Sequence, residues 1–300
     1  MQTEFRRLTF EDHRRVMESL KFVYPVLSRR ARGISLGVNL NPDKACNFDC
    51  IYCQVDRTVP GQKGFEVGVM AEELSRLLAW VRDGVLFEHP PFETVSGAMR
   101  RVNDICFAGD GEPTSAPEFL AAVEEVVKLK QQFGLETLKI VLITNATLLH
   151  RPAVRKALAL MAEHQGEVWA KLDAGTEAWY NTISVTRVPF SRILKNLLEA
   201  AQARPLVIQS LFLEYQGQGP SDVEVEAYIA RLQHILDQGG QLKLIQVYTI
   251  ARQTPSPGIY SLTDAQLDAL VARIRAALPV PVEGFYGSGR FMRPPPQLSV

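Results

Sequence analysis

Short apolar strands alternate with amphipathic helices along this chain, and that alternation constrains its fold more than any other property. Candidate strands lie at 35–40, 104–108, 139–144, 168–172, 206–213 and 242–248. Each is rich in Val, Ile, Leu or Phe, as strands buried on both faces are. Helical periodicity follows at 71–82, 116–133, 152–163, 190–203, 222–236 and 263–277. Ser115 and Ser221 are placed as N-caps, Pro152 in a first turn, and Thr263-Asp264 at the opening of the last helix. Six β–α units in succession imply an α/β fold with a parallel sheet and right-handed crossovers. Periodicity alone does not separate a barrel-like layout from a doubly wound open sheet. In both, ligands gather at the carboxyl ends of the strands.

With 300 residues and 46% apolar content, the chain can bury a large core as one α/β domain. Its 33 basic residues are balanced by 33 acidic ones, so no basic excess advertises nucleic acid as a partner. The first 33 residues read as a helical, basic extension carrying Arg6, Arg7, Arg14, Arg15, Lys21, Arg29, Arg30 and Arg32. Residues 281–300 read as a C-terminal tail with the run Arg293-Pro294-Pro295-Pro296. Nothing in the first twenty residues is apolar for long enough to be a signal peptide or membrane span, so a cytoplasmic protein without membrane contact is expected.

Three cysteines fall within eight residues as Cys46-x3-Cys50-x2-Cys53. Three thiolates this close can cap three irons of one [4Fe-4S] cube and leave the fourth iron open to an outside ligand. A structural zinc site, the alternative, needs a fourth Cys or His at a matching spacing. Cys106 reads as a buried strand residue and His89 as part of a Pro-rich loop, so neither supplies it convincingly. A non-catalytic zinc or metal-binding protein stays the rival reading.

Polar residues interrupt the apolar pattern where the strands end. Gly109-Asp110-Gly111-Glu112 follows the second strand; its glycines let backbone approach a ligand, and Glu112 can accept hydrogen bonds from an ammonium group. The third strand ends on Thr144-Asn145. Lys171 and Asp173, two apart, share a strand face, where a charged pair is either a mutual salt bridge or a ligand contact. Gln209, Ser210, Gln246 and Tyr248 interrupt the fifth and sixth strands, as satisfied core polar groups or as ligand contacts.

The cysteine spacing, Tyr52 before the last cysteine and the Gly-Asp-Gly-Glu-Pro segment resemble the radical S-adenosylmethionine (SAM) superfamily. The fuller set (Tyr24–Arg30, Arg32–Leu40, Gly109–Thr114, Leu172–Thr176 and Val247–Arg252) resembles its wyosine-base-formation group, the tRNA 4-demethylwyosine synthases. The resemblance implies an open (β/α)6 partial TIM barrel over residues 34–280, with helices outside. It implies an enzyme that reductively cleaves SAM at a [4Fe-4S] cluster and turns the resulting 5′-deoxyadenosyl radical on a substrate. Cys46, Cys50 and Cys53 would hold the cluster. Tyr52, Gly109, Asp110, Gly111, Glu112, Asn145, Lys171, Asp173, Gln209, Gln246 and Tyr248 would hold SAM, with Lys171 and Asp173 also catalytic. A flavodoxin- or ferredoxin-like electron donor is implied as partner. The substrate is left open among small molecules, nucleosides and peptides. The tRNA guanine of the wyosine group is admitted but disfavoured by the neutral charge.

Overall fold

The computed structural model describes residues 20–252, 254, 256–289, 291 and 292. The basic residues Arg6, Arg7, Arg14 and Arg15 and the Pro294-Pro295-Pro296 run lie outside the described residues. Two units make up the chain: one of residues up to 47 with 57–170, the other of residues 48–56 with those from 171 onward.

In the first unit the apolar runs become β1 (Val23–Ser28), β2 (Gly33–Val38), β3 (Val102–Phe107), β4 (Lys139–Thr144) and β5 (Gly166–Lys171). Lys171 itself belongs to the second unit. Strand order is β1 through β5, with β1 antiparallel to β2 and the remainder parallel. The helices are α1 (Val67–Arg82), α2 (Phe119–Gln132) and α3 (Pro152–Glu163). On β3 the two-residue alternation sends Phe107 against Phe119 of α2, ring centroids 5.6 Å apart at 81°. Asp104 and Cys106 therefore lie on the opposite face. Leu74, Leu77 and Leu78 recur at helical spacing on α1 and are fully buried, which contributes about 2 kcal/mol each in transfer free energy.

Glu73 breaks that apolar stripe for a reason local pattern does not show. Its buried carboxylate accepts the backbone N–H groups of Lys21 (2.7 Å), Phe22 (2.9 Å) and Val23 (2.9 Å), fixing the entry to β1. Glu73→Ala would strand three donors, and we expect a stability loss of about 3 kcal/mol in urea unfolding. Glu73→Gln, which keeps one acceptor, should recover part of it.

The connection spanning residues 84–101 is packed rather than loose. It forms three short 3-10 turns, Leu86–Glu88, Phe92–Thr94 and Gly97–Met99, and Leu86, Phe92 and Val95 are buried.

The second unit contains α4 (Glu177–Ser184), α5 (Phe190–Ala203), β6 (Leu206–Leu211), β7 (Leu213–Tyr215), α6 (Asp222–Asp237), β8 (Leu242–Tyr248), β9 (Ile259–Ser261), α7 (Asp264–Ala277) and β10 (Val282–Phe285). Strands β6, β8 and β10 are parallel neighbours in that order, and β7 and β9 form a separate antiparallel ribbon. Ser221 and Thr263 cap α6 and α7 as expected, Thr263 through a capping box with Gln266.

Some elements differ from the sequence reading. Ser115 does not cap α2; it ends a 3-10 turn, and its hydroxyl donates to the carbonyl of Glu112 (2.7 Å). The stretch 23–28, read as part of a helical extension, is strand β1, and β10 occupies part of the stretch read as a tail. The run 206–213 is divided between β6 and β7. Among the described residues, no helix is long and apolar enough to cross a membrane.

Candidate functional site

In the first unit, the ends of β2, β3 and β4 are tied by side chains that sequence reading had singled out. Just past β2, Asn39 donates its amide to the Asp110 carboxylate (2.7 Å), and the Asp110 N–H returns to the Asn39 carbonyl oxygen (3.2 Å). Glu112 is buried. One of its oxygens accepts Thr114 N–H (3.2 Å), the Thr114 hydroxyl (2.5 Å) and the Thr144 hydroxyl (2.6 Å), while the other accepts Asn145 N–H (2.7 Å). Burial raises its carboxyl pKa, against the pull of these donors. Glu112 is thus occupied in joining the β3 and β4 ends.

Asn145 donates its amide to the side-chain oxygen of Asn47 (2.8 Å), the residue after Cys46, and Asn47 donates to Thr147 (2.7 Å). The Gly-Asp-Gly turn approaches the same segment. A Cβ on Gly111 would fall against the Ala45 carbonyl, and one on Gly109, at φ 150°, against the Asn39 side chain. Glycine is needed at both places because backbone passes where a side chain would stand.

In the second unit, Cys53 N–H donates to the Cys50 carbonyl (2.9 Å), so the x2 spacing closes as one tight turn. Tyr52 is buried, and its hydroxyl donates to the Asp173 carboxylate. Lys171 donates to the Tyr52 oxygen (3.1 Å), stands 3.7 Å from Asp173, and lies 4.7 Å from the Tyr52 ring centroid. Asp173 also accepts Leu211 N–H (2.8 Å). The expected pair of Lys171 and Asp173 is therefore a trio with Tyr52 at its centre. Burial pushes the Cys50 thiol up to about 12, with Lys171 pulling it down and Asp173 adding to the rise. Burial, then Asp173, also hold the Tyr52 phenol well above its usual range.

Gln209 and Gln246 are register partners on β6 and β8, and Gln209 donates its amide to Gln246 (2.8 Å). The Gln209 side-chain carbonyl is buried and finds no partner among the described residues. Tyr248, partnered with Leu211, is buried on the same face. Ser210 points the other way and shares a hydrogen bond with Tyr228 of α6 (2.7 Å).

Besides Glu73, two further buried carboxylates escaped the sequence reading. Glu224 accepts Gly175 N–H (2.5 Å), Thr176 N–H (3.1 Å) and the Thr176 hydroxyl (2.6 Å), holding the start of α4. Only its place in the first turn of α6 could have flagged it. Asp104 accepts the Ser35 hydroxyl beside the buried Cys106. Burial raises the Asp104 carboxyl to about 6, moderated by Ser35. A carboxyl whose folded pKa exceeds the unfolded value of about 3.9 stabilises the fold below that value and loses the contribution as pH rises through the folded one. Stability should therefore fall by about 2–3 kcal/mol between pH 4 and pH 6 on this account. Asp104→Asn should abolish that slope and raise the melting temperature at pH 8.

Among the described residues, no group of three His, Cys, Asp or Glu side chains is drawn together to hold a metal ion. The fit of a cluster is carried by donor chemistry: three thiols on one short loop, two of them in one turn, are the ligands iron–sulfur centres use. The close passage of Gly111 against Ala45 braces the entry to that loop.

Comparison with known proteins bears on the same segments. A UPF0026 protein of Helicobacter pylori (strain J99) is 27% identical over 230 residues, 76% of this chain and 62% of its own length. A UPF0026 protein of Methanocaldococcus jannaschii is 31% identical over 136 residues, 44% of this chain and 35% of its own length. The chain thus spans less than two thirds of these curated relatives. Among solved structures, a radical SAM methyltransferase from Sphaerobacter thermophilus aligns over 89% of this chain and 70% of its own, with TM-score 0.60 and 14% identity. TYW1 with a lysine–pyruvate adduct bound aligns over 85% of this chain and 84% of its own, with TM-score 0.51 and 15% identity. These likenesses show the fold, an α/β chain of the partial TIM barrel class, as expected from the sequence. The Radical SAM superfamily model matches residues 40–216, more than half of the chain and the stretch that holds all three loop cysteines. Proteins of this superfamily bind a [4Fe-4S] cluster and SAM, and Cys46, Cys50 and Cys53 fit its CxxxCxxC motif. The chain belongs to the radical SAM superfamily.

Proposed function

We propose that Cys46, Cys50 and Cys53 would hold a [4Fe-4S] cluster whose fourth iron takes SAM, and that the chain directs the radical released from SAM to a C–H bond of a bound substrate. When bound, the cluster and SAM together supply an electron and a 5′-deoxyadenosyl radical; that radical chemistry is the cofactors' own. The protein positions and shields. The observation that carries the reading is the Cys50–Cys53 turn with Tyr52 fixed between Asp173 and Lys171.

Asp173 anchors the Tyr52 hydroxyl and so fixes the plane of an aromatic ring next to a ligand cysteine. Lys171 places a positive charge over that ring and beside Cys50, where it favours the thiolate a metal needs. Glu112 acts by holding Thr144 and Asn145 in place. Gly109, Asp110, Gly111 and Asn145 line the strand ends where the methionine end of SAM would bind. Gln209, with its unanswered carbonyl, and Gln246 and Tyr248 offer polar contacts to the nucleoside end or to substrate. The substrate is a small molecule, nucleoside or peptide, and a flavodoxin- or ferredoxin-like protein delivers the electron.

Anaerobic reconstitution tests this directly. The protein should turn brown, hold about four irons per chain and, with dithionite and SAM, release 5′-deoxyadenosine. A colourless protein with one tightly bound zinc would overturn it in favour of a metal-binding role.

A further inference from the structure

The last carbonyls of an α-helix have no partner inside the helix and must find one elsewhere. In α4 they find the cysteine loop. Asp49 N–H donates to the carbonyls of Ser184 (3.1 Å) and Val185 (3.2 Å), and Ile51 N–H donates to that of Ile183 (3.0 Å). Amides two apart in the loop thus meet the helix end, while Tyr52 reaches Asp173 and Lys171. Phe48 adds an apolar contact, its ring edge-on to Tyr180 with centroids 5.9 Å apart. Tyr180 is itself buried and held by its hydroxyl to the Val188 carbonyl (2.8 Å).

The residue ending α4 adopts a conformation its side chain disfavours. Val185 sits at φ 44°, ψ 66°, in the left-handed region, where a β-branched residue costs about 1–2 kcal/mol. The residue is 48% exposed, so packing does not repay the strain. The return is in the backbone, since this conformation belongs to the turn that offers the Ser184 and Val185 carbonyls to Asp49.

We propose that the end of α4 is a preformed shelf that positions the Cys50–Cys53 turn for cluster ligation, with Val185 as its positioning residue. The proposal rests on the assignment of Cys50 and Cys53 as cluster ligands. Its chemical consequence is that the Asp49 and Ile51 N–H groups, spent on helix carbonyls, are withheld from the cluster sulfides. Hydrogen bonds to those sulfides tune the properties of such centres.

Hydrogen exchange on the iron-free protein, followed by electron paramagnetic resonance of the reduced, reconstituted protein, tests the shelf. In iron-free wild type the Asp49 and Ile51 amides should exchange at least about 100-fold more slowly than an open loop. Val185→Pro cannot adopt the required φ and drives Ser184 out of helical geometry. It should lose that protection and alter the cluster's g-values, while the β6 and β8 amides keep theirs. Val185→Gly adopts the conformation freely and should retain both wild-type signatures. Unprotected Asp49 and Ile51 amides in iron-free wild type, or wild-type g-values in Val185→Pro, would overturn the shelf. Wild type that is protected at these amides but takes up no iron would instead overturn the ligand assignment, leaving a shelf with no cluster to serve.

Discussion

Cys50→Ala is expected to leave a folded, colourless protein that forms no 5′-deoxyadenosine above background, whereas Cys106→Ala keeps both iron and SAM cleavage. The two thiols have opposite surroundings. Cys50 stands in a turn with Cys53, beside Lys171 and Tyr52. Cys106 is buried on β3, where burial and the neighbouring Asp104 raise its pKa. Removing Cys50 deletes one of three proposed anchors and should cost the fold little, under about 1 kcal/mol. Removing Cys106 opens a small cavity, with an expected loss of about 1–2 kcal/mol in denaturant unfolding. Iron-to-protein ratios and product chromatography separate the variants. If Cys106→Ala lost its cluster while Cys50→Ala kept it, the ligand set would be wrong.

Gly111→Ala should be nearly as damaging, although it removes nothing. The added methyl would meet the Ala45 carbonyl oxygen and the Asn41 side chain, whose Cβ is 2.6 Å away. A backbone oxygen cannot swing aside as a flexible side chain can. Either the Gly109–Thr114 turn or the segment entering Cys46 must move. We expect a loss above about 2 kcal/mol and iron content reduced to less than half of wild type. Gly68→Ala is the matched control: it lies in α1, where an added methyl would have nothing within 4 Å, and alanine should stabilise that helix by about 0.5 kcal/mol. Equal iron content in the two alanine variants would show that the turn does not brace the loop.

The parts of the fold legible in the sequence are those whose signals are local. Pro152–Glu163 and Phe190–Ala203 begin and end where their periodicity does, and Lys139–Thr144 and Leu242–Tyr248 are apolar runs bracketed by polar residues. Elements with mixed signals went unseen. β1 contains Pro25 and β10 contains Gly284, both poor strand residues, and their pairing partners supply what propensity does not. The site divides along the same line. Cysteine spacing and the Gly-Asp-Gly-Glu turn are contiguous and could be read. The role of Glu112 could not, because Thr144 and Asn145 stand 32 and 33 positions away. Ser35 and Asp104 meet across 69 positions, and Glu73 reaches back about 50 to β1, pairings that only the folded sheet creates.

The dependence of the cysteine turn on residues far downstream has a consequence for biosynthesis. Tyr52 and the carboxylate that holds it are 121 positions apart, and α4 is translated later still. At ordinary ribosomal speed, on the order of ten seconds pass between the two. Throughout that interval the nascent thiols have left the ribosome with no backing for Cys50 and Cys53, open to oxidants and to stray zinc. If Cys50 and Cys53 bind iron as proposed, their turn would be backed for that ligation only once the second half has been made, not when the motif emerges.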